Sequence, residues 1–211
     1  VSSTVTMAQI DENLYSRQLY AIGKDAMQKA AVSSVLISGM NGLGVEIAKN
    51  TILQGFKSVT IHDTKLTTEY DLGTNYYLNK GDIGRNKASS CYEKLKELNS
   101  YVQVNYLTKE LSNDLIKNYT IVVLVDYPIE KQLEINKFTH ENKIHFISTT
   151  TLGLTGQIFC DFGQNFIVLD GDGEQLRTAL IESIENGEKP LVKCVDSKPH
   201  GLTTGNFVKF T

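Results

Sequence analysis

The chain has 211 residues, 41% of them hydrophobic and 21% charged, with a net charge of −3. That length suits one sizeable domain, or a domain with a small or partial companion. No basic excess points to nucleic acid as a partner, and no apolar run approaches the roughly 20 residues of a membrane span.

Residues 1–12 read as a polar tail that lacks the charged and apolar segments of a secretory signal, so a cytoplasmic and nuclear home is expected. Five apolar runs rich in β-branched residues then predict strands: Val35–Ser38, Val59–His62, Val102–Leu107, Ile121–Val125 and Ile144–Ser148. Helical patterns fall between them at about 43–54, 85–98 and 129–141. This alternation argues for crossover units on a mostly parallel sheet, a doubly wound α/β (Rossmann-like) domain over 13–161. Ile121-Val-Val-Leu-Val125 is continuously apolar, as expected of a central strand covered on both faces. The first crossover helix ends near Gly55, a plausible C-terminal cap.

Beyond 150 the character changes. Thr151–Cys160, Asn165–Asp170 and Asn206–Thr211 look strand-like, with Gly171, Gly173, Pro190, Pro199 and Gly201 punctuating the region. A small, truncated β-rich module is expected over 162–211, and the chain reads as a fragment or as ending in a very small module.

The chemistry-bearing stretch is Val35-Leu-Ile-Ser-Gly-Met-Asn-Gly-Leu-Gly44, an apolar strand followed by a glycine turn and a helix. The next strand delivers Asp63 at its carboxyl end, where an acid in a nucleotide-binding half-fold takes ribose hydroxyls. The glycines stand at Gly39, Gly42 and Gly44, so the G-x-G-x-x-G spacing fails at its second glycine, where Asn41 would crowd the approach of a phosphate. Asp126 stands at the end of another strand, just before Tyr127-Pro128 and a helical pattern, and reads as a carboxylate favoured by free helix amides.

Cys91, Cys160 and Cys194 are odd in number and unpaired in spacing, which argues against a disulfide framework or a zinc site. Cys91 falls on the apolar stripe Ala88, Cys91, Leu95, Leu98 and reads as core. His62, His140, His145 and His200 share no metal-ligand spacing, so no metal site is expected. Tyr70, Tyr76 and Tyr77 read as packing residues of a domain interface, and Lys94-Leu-Lys-Glu-Leu98 as an amphipathic helix face.

Leu14-Tyr-Ser-Arg-Gln-Leu-Tyr-Ala-Ile-Gly23, together with Gly42-Leu-Gly-Val-Glu-Ile-Ala-Lys-Asn50, closely resembles the ubiquitin-activating enzymes. Phe159–Gly163, Val168–Asp170, Asp172–Glu174, Cys194–Asp196 and His200-Gly201 are similar to the start of that family's first catalytic-cysteine half-domain. The resemblance runs from about residue 8 to 211. It implies a ThiF/MoeB-type adenylation fold, one member of a pseudo-dimer of adenylation domains, and specifically the degenerate one. Where active domains carry G-x-G-G-x-G and then Leu-Asn-Arg-Gln, this chain has Asn41 in the loop and Leu72-Gly-Thr-Asn75, without the asparagine and arginine.

By itself Arg17 reads as part of a solvated helix face; the resemblance implies instead that it reaches across the pseudo-dimer to ATP phosphates in the catalytic half. The implied whole enzyme uses ATP and Mg²⁺ to adenylate ubiquitin, forms a thioester on a cysteine beyond this chain, and serves ubiquitin-conjugating enzymes. No catalytic residue and no bound cofactor are expected in this chain alone. A stand-alone NAD(P)-binding oxidoreductase and a non-enzymatic interaction module are the alternative readings.

Overall fold

Alternation of buried side chains along each strand shows how the architecture arises. In the computed structural model, which describes residues 10–168, 178–195 and 200–210, β1 (Ser34–Ser38) sends Val35 and Ile37 to one face and Leu36 to the other. β4 (Ile121–Val125) divides in the same way, with Val123 and Val125 opposite Val122 and Leu124. A strand apolar on both faces needs helices above and below it. One layer comprises α2 (Gly42–Gln54) and α3 (Lys87–Lys96), which contribute Val45, Ala48, Ile52, Ala88, Cys91 and Leu95. The other comprises the short α4 (Asn113–Ile116) and α5 (Ile129–Glu141), through Ile116 and Ile135.

The sheet is completed by β2 (Ser58–His62), β3 (Gln103–Leu107), β5 (His145–Leu152) and β6 (Thr155–Asp161), in the order β3-β2-β1-β4-β5-β6. Five strands are parallel, and β6 returns antiparallel to β5. The order reverses between β1 and β4, and ligand crevices of open α/β sheets lie at the carboxyl ends of strands flanking such a switch. Gly55 caps α2 in the left-handed region (φ 85°), and the ring of Tyr15 fills the space a β-carbon would need there. The Tyr15 hydroxyl accepts from Asn99 Nδ2 (2.7 Å), which also donates to the Ile52 carbonyl (3.0 Å). The start of α1 (Ser16–Val32) is thereby pinned to the domain, and the helix breaks at Gly23 (φ 80°, ψ 166°).

The chain divides into two units, residues 1–166 and 167–211. In the second, β7 (Ile181–Glu185) and β8 (Leu191–Cys194) form an antiparallel hairpin. The strand expected at Asn165–Asp170 is absent over 165–168, where a turn and irregular chain stand instead, and its last two residues lie outside the described ones. Likewise 206–210 is irregular rather than a strand. Both segments are apolar but lack a neighbouring strand among the described residues, and a ladder requires one. The single run expected at Thr151–Cys160 is split by a turn at Gly153-Leu154 into the end of β5 and most of β6.

Candidate functional site: a closed glycine turn at the switch point

The turn after β1 is tight because three backbones converge on it. Gly39 has φ 105°, and a β-carbon there would run into the Val125 carbonyl. One on Gly44 would strike the Gly39 carbonyl, and one on Gly42 would meet Thr74 O at 2.7 Å. All three glycines therefore serve close packing, the structural half of what a phosphate-binding turn uses them for.

The ligand-binding half is occupied by the protein's own side chains. Asn41 is the N-cap of α2, and its Oδ1 accepts from the Gly44 amide (2.9 Å). With Oδ1 so engaged, Nδ2 points the other way and donates to the Asp126 carboxylate. Asp63, buried at the end of β2, accepts from the Met40 amide (2.7 Å) with one oxygen and from the Lys65 amide (2.9 Å) with the other. Asn75 completes the clamp: Nδ2 donates to the Met40 carbonyl (3.1 Å), and Oδ1 accepts from the Tyr77 amide (3.0 Å). A helix N-terminus binds anions through free amides and its positive end. Here the Gly44 amide of the first turn is capped by Asn41, the Met40 amide just before the helix is taken by Asp63, two carboxylates face the turn, and no lysine or arginine among the described residues bonds to it.

Asp126 departs from the sequence-based expectation. It does not cap α5, whose N-cap is Pro128 without a side-chain cap. Its backbone takes φ 53°, and its carboxylate turns back to accept from the Thr151 amide (2.7 Å) and hydroxyl (3.1 Å). Few residues other than glycine take the left-handed region, aspartate being among those that do so more readily, and neighbouring contacts hold Asp126 there.

Behind the turn runs a buried polar chain that sequence reasoning missed. Ser38 Oγ lies 2.6 Å from His62 Nδ1 and 2.7 Å from the Tyr127 hydroxyl, and His62 Nε2 lies 2.8 Å from the Lys109 carbonyl. The carbonyl only accepts, so Nε2 carries the proton, Nδ1 accepts from Ser38, and Ser38 accepts from Tyr127. Ser38 and His62 are 0% and 1% exposed, so this serine–histidine pair has no access to a substrate. Burial pushes the His62 pKa down, against the opposing effects of the Lys109 carbonyl and the Asp63 and Glu110 charges. A pair of residues 24 apart on adjacent parallel strands carries no local sequence signal; only the β1–β2 register, Ser38 opposite His62, brings them together.

Other candidate residues find separate places. Arg17 is exposed on the first segment of α1 and makes no ion pair among the described residues. Cys91 is buried against Asn75, its thiol pushed up to about 11 by burial, while Cys160 is exposed on β6 and Cys194 partly exposed on β8. His140 bonds Asp161 (2.8 Å), His145 stacks edge-on against Phe162, and His200 accepts from the Leu202 amide (2.9 Å). His140 and His145 line a cavity of about 360 Å³ at the amino-terminal end of β5, the opposite end of the sheet from the glycine turn. Tyr70 and Tyr76 are 91% and 86% exposed, whereas Tyr77 is core. Among the described residues no cluster of three or more histidine, cysteine or acidic side chains is placed to hold a metal, and no helix is long and apolar enough to cross a membrane. Asp170, Asp172, Glu174 and Asp196 of the resemblance lie outside the described residues.

Known proteins bear on this geometry. A model of the ThiF family matches residues 15–200. The Ubiquitin-like modifier-activating enzyme 1 of Rattus norvegicus is 46% identical over 204 residues, 97% of this chain and 19% of that protein. Ubiquitin-activating enzyme E1 1 of Schizosaccharomyces pombe is 49% identical over 202 residues, 96% of this chain and 20% of its own length. The chain thus spans about a fifth of the curated relatives it matches. Among solved structures, the E. coli tRNA N6-threonylcarbamoyladenosine dehydratase TcdA superposes with a TM-score of 0.59 at 16% identity, covering 68% of this chain and 62% of its own, a likeness of fold.

Proposed function

The chain belongs to the ThiF family, and from that premise we propose that it is the non-catalytic adenylation-type part of a ubiquitin-activating enzyme, with its polar amino-terminal tail (1–12), adenylation-type domain (13–161) and the start of a cysteine half-domain (162–211). The whole enzyme activates the ubiquitin carboxyl terminus with ATP and Mg²⁺, forms a thioester on a cysteine outside this chain, and hands ubiquitin to conjugating enzymes in the cytoplasm and nucleus. The observation that carries this reading is the closed turn. In a chain this similar to ubiquitin-activating enzymes, the Gly44 amide at the helix start is capped by Asn41 and the Met40 loop amide by Asp63, which favours a scaffold over a nucleotide site.

In this scheme the partner half of the same polypeptide holds the nucleotide, and Arg17 enters it from outside. The exposure of Arg17 supports the role, as does its place two residues beyond the buried Tyr15 anchor. A guanidinium supplied in this way offsets charge on the reacting phosphates without first being desolvated in its own domain. The exposed faces of Leu66, Tyr70 and Tyr76 on the β2–α3 crossover suit a packed interface between the halves. Neither Cys91, sealed in the core, nor Cys160 or Cys194 is assigned the thioester.

The test is Arg17→Ala in the full-length enzyme. ATP–pyrophosphate exchange falls by about a thousandfold or more, the size of effect known for arginines supplied in trans. The melting temperature stays put, because an exposed side chain with no ion pair among the described residues contributes little to stability. Unchanged exchange would remove the trans-acting role.

A further inference from the structure

Resting on the reading that the remainder of the polypeptide packs against this domain, we infer that the tip of the β5–β6 hairpin is a docking element for that remainder, and that Asp126 is the positioning residue that holds the tip and ties it to the closed glycine turn.

The tip stands beyond its neighbours. β4 pairs with β5 only as far as Val125 opposite Thr149, while β5 and β6 continue together through Thr151 opposite Gly156 to Leu152 opposite Thr155. A two-stranded ribbon is marginal in water by itself. Its lateral support from the domain is Asp126, whose carboxylate takes both the amide and the hydroxyl of Thr151. The φ of 53° at Asp126 is what aims that carboxylate back along the sheet instead of into α5.

The surface so held is apolar and unprotected. Leu152, Leu154 and Ile158 are 57%, 106% and 74% exposed. No aspartate, glutamate, lysine or arginine occurs from Ile144 to Cys160, and among the described residues β6 is the last strand of the sheet. Proteins blunt free sheet edges with charges, prolines or bulges, so a seven-residue edge strand whose first charge is its final residue, Asp161, is built to be covered. The occupant we assign is an apolar surface of the same polypeptide, because the relatives that match nearly all of this chain are about five times its length.

The second link is to the glycine turn. The Asn41 amide is oriented by the Gly44 bond, so its Nδ2 fixes the carboxylate that fixes Thr151. The N-terminus of α2 and the docking tip are thus three side chains apart. A change at the turn reaches the tip through Asp126.

Hydrogen exchange of the full-length enzyme tests both links. In the wild-type enzyme the 150–156 amides exchange slowly. Leu154→Asp, which replaces a solvent-facing side chain in this domain, uncovers the tip. Asp126→Gly removes the carboxylate while keeping the backbone angle unstrained. Each raises exchange over 150–156 by about tenfold, the order of one charge-assisted hydrogen bond. Asn41→Gly raises it as well, a distal effect that a purely local cap would not produce. Thr151→Val, which deletes only the hydroxyl, gives a smaller rise and serves if Asp126→Gly does not fold. Fast exchange at the wild-type tip, or wild-type rates in Leu154→Asp, overturns the docking assignment. Unaltered tip exchange in Asn41→Gly overturns the coupling. A concentration-dependent mass that Leu154→Asp abolishes assigns the edge to a second copy and overturns the chosen occupant. If Arg17→Ala abolishes pyrophosphate exchange while the tip variants behave as wild type, the functional reading stands and this inference falls; if the tip variants respond and Arg17→Ala does not, this inference stands and the trans-acting role of Arg17 falls.

Discussion

At the scale of single residues the protein spends polar side chains on closing itself. Asp71 and Lys87 make a buried pair (2.6 Å); burial pushes the Asp71 carboxyl up, but Lys87 and the Thr68 amide and hydroxyl outweigh it and hold the pKa below its ordinary value. His62 shows the opposite sign. Its neutral form is buried, so its pKa lies below the ordinary 6.5 in the folded chain, and the unfolded chain binds the extra proton first. Stability associated with His62 is therefore complete above pH 6.5 and is lost as pH falls from there through the folded value. Urea unfolding followed across that acid range declines in the wild type and has a flatter profile in His62→Gln; equal slopes would reject the assignment. None of this was legible in the sequence, because the partners of Asp71 and His62 are set by chain crossings rather than by spacing. Cys91 was legible, since its core position follows from the helical stripe it shares with Ala88 and Leu95.

At the scale of elements, the predicted strands and crossover helices appear within a residue or two of their places, except that β5 runs four residues past Ser148 to Leu152, because long periodic apolar segments specify element type even where ends fray. What escaped was α1 (two helical segments that meet at Gly23), the short α4, and the hairpin break at Gly153, all short or irregularly patterned stretches. Asn41 was legible only in part. The sequence identified it as the residue that departs from a phosphate turn, but its positive task as the N-cap of α2 needs the loop geometry. That task has a measurable size. Asn41→Ala removes the bond to the Gly44 amide and lowers the free energy of unfolding by about 1–2 kcal/mol, read from denaturant midpoints. A midpoint that does not move would mean that the cap is replaced by water at no cost.

At the scale of the whole molecule, a doubly wound sheet retains its switch-point crevice while its own side chains fill it. Calorimetric titration with ATP and with NAD therefore gives no saturable binding to this chain, whereas micromolar affinity for NAD would favour the oxidoreductase alternative. The fold was legible because strand–helix alternation constrains topology to few choices. The fate of the crevice was legible only as a disagreement between Asn41 and an expected glycine. The Tyr15 anchor carries one more consequence, which is geometric. Two residues of chain span at most about 7 Å, so Arg17 cannot wander from the point where Asn99 and Gly55 hold the tyrosine ring. The anchor works as a short leash: under the proposed trans-acting role, a phosphate reached by Arg17 would have to come to the edge of this domain, so a buried tyrosine would set how closely a nucleotide-bearing partner must approach.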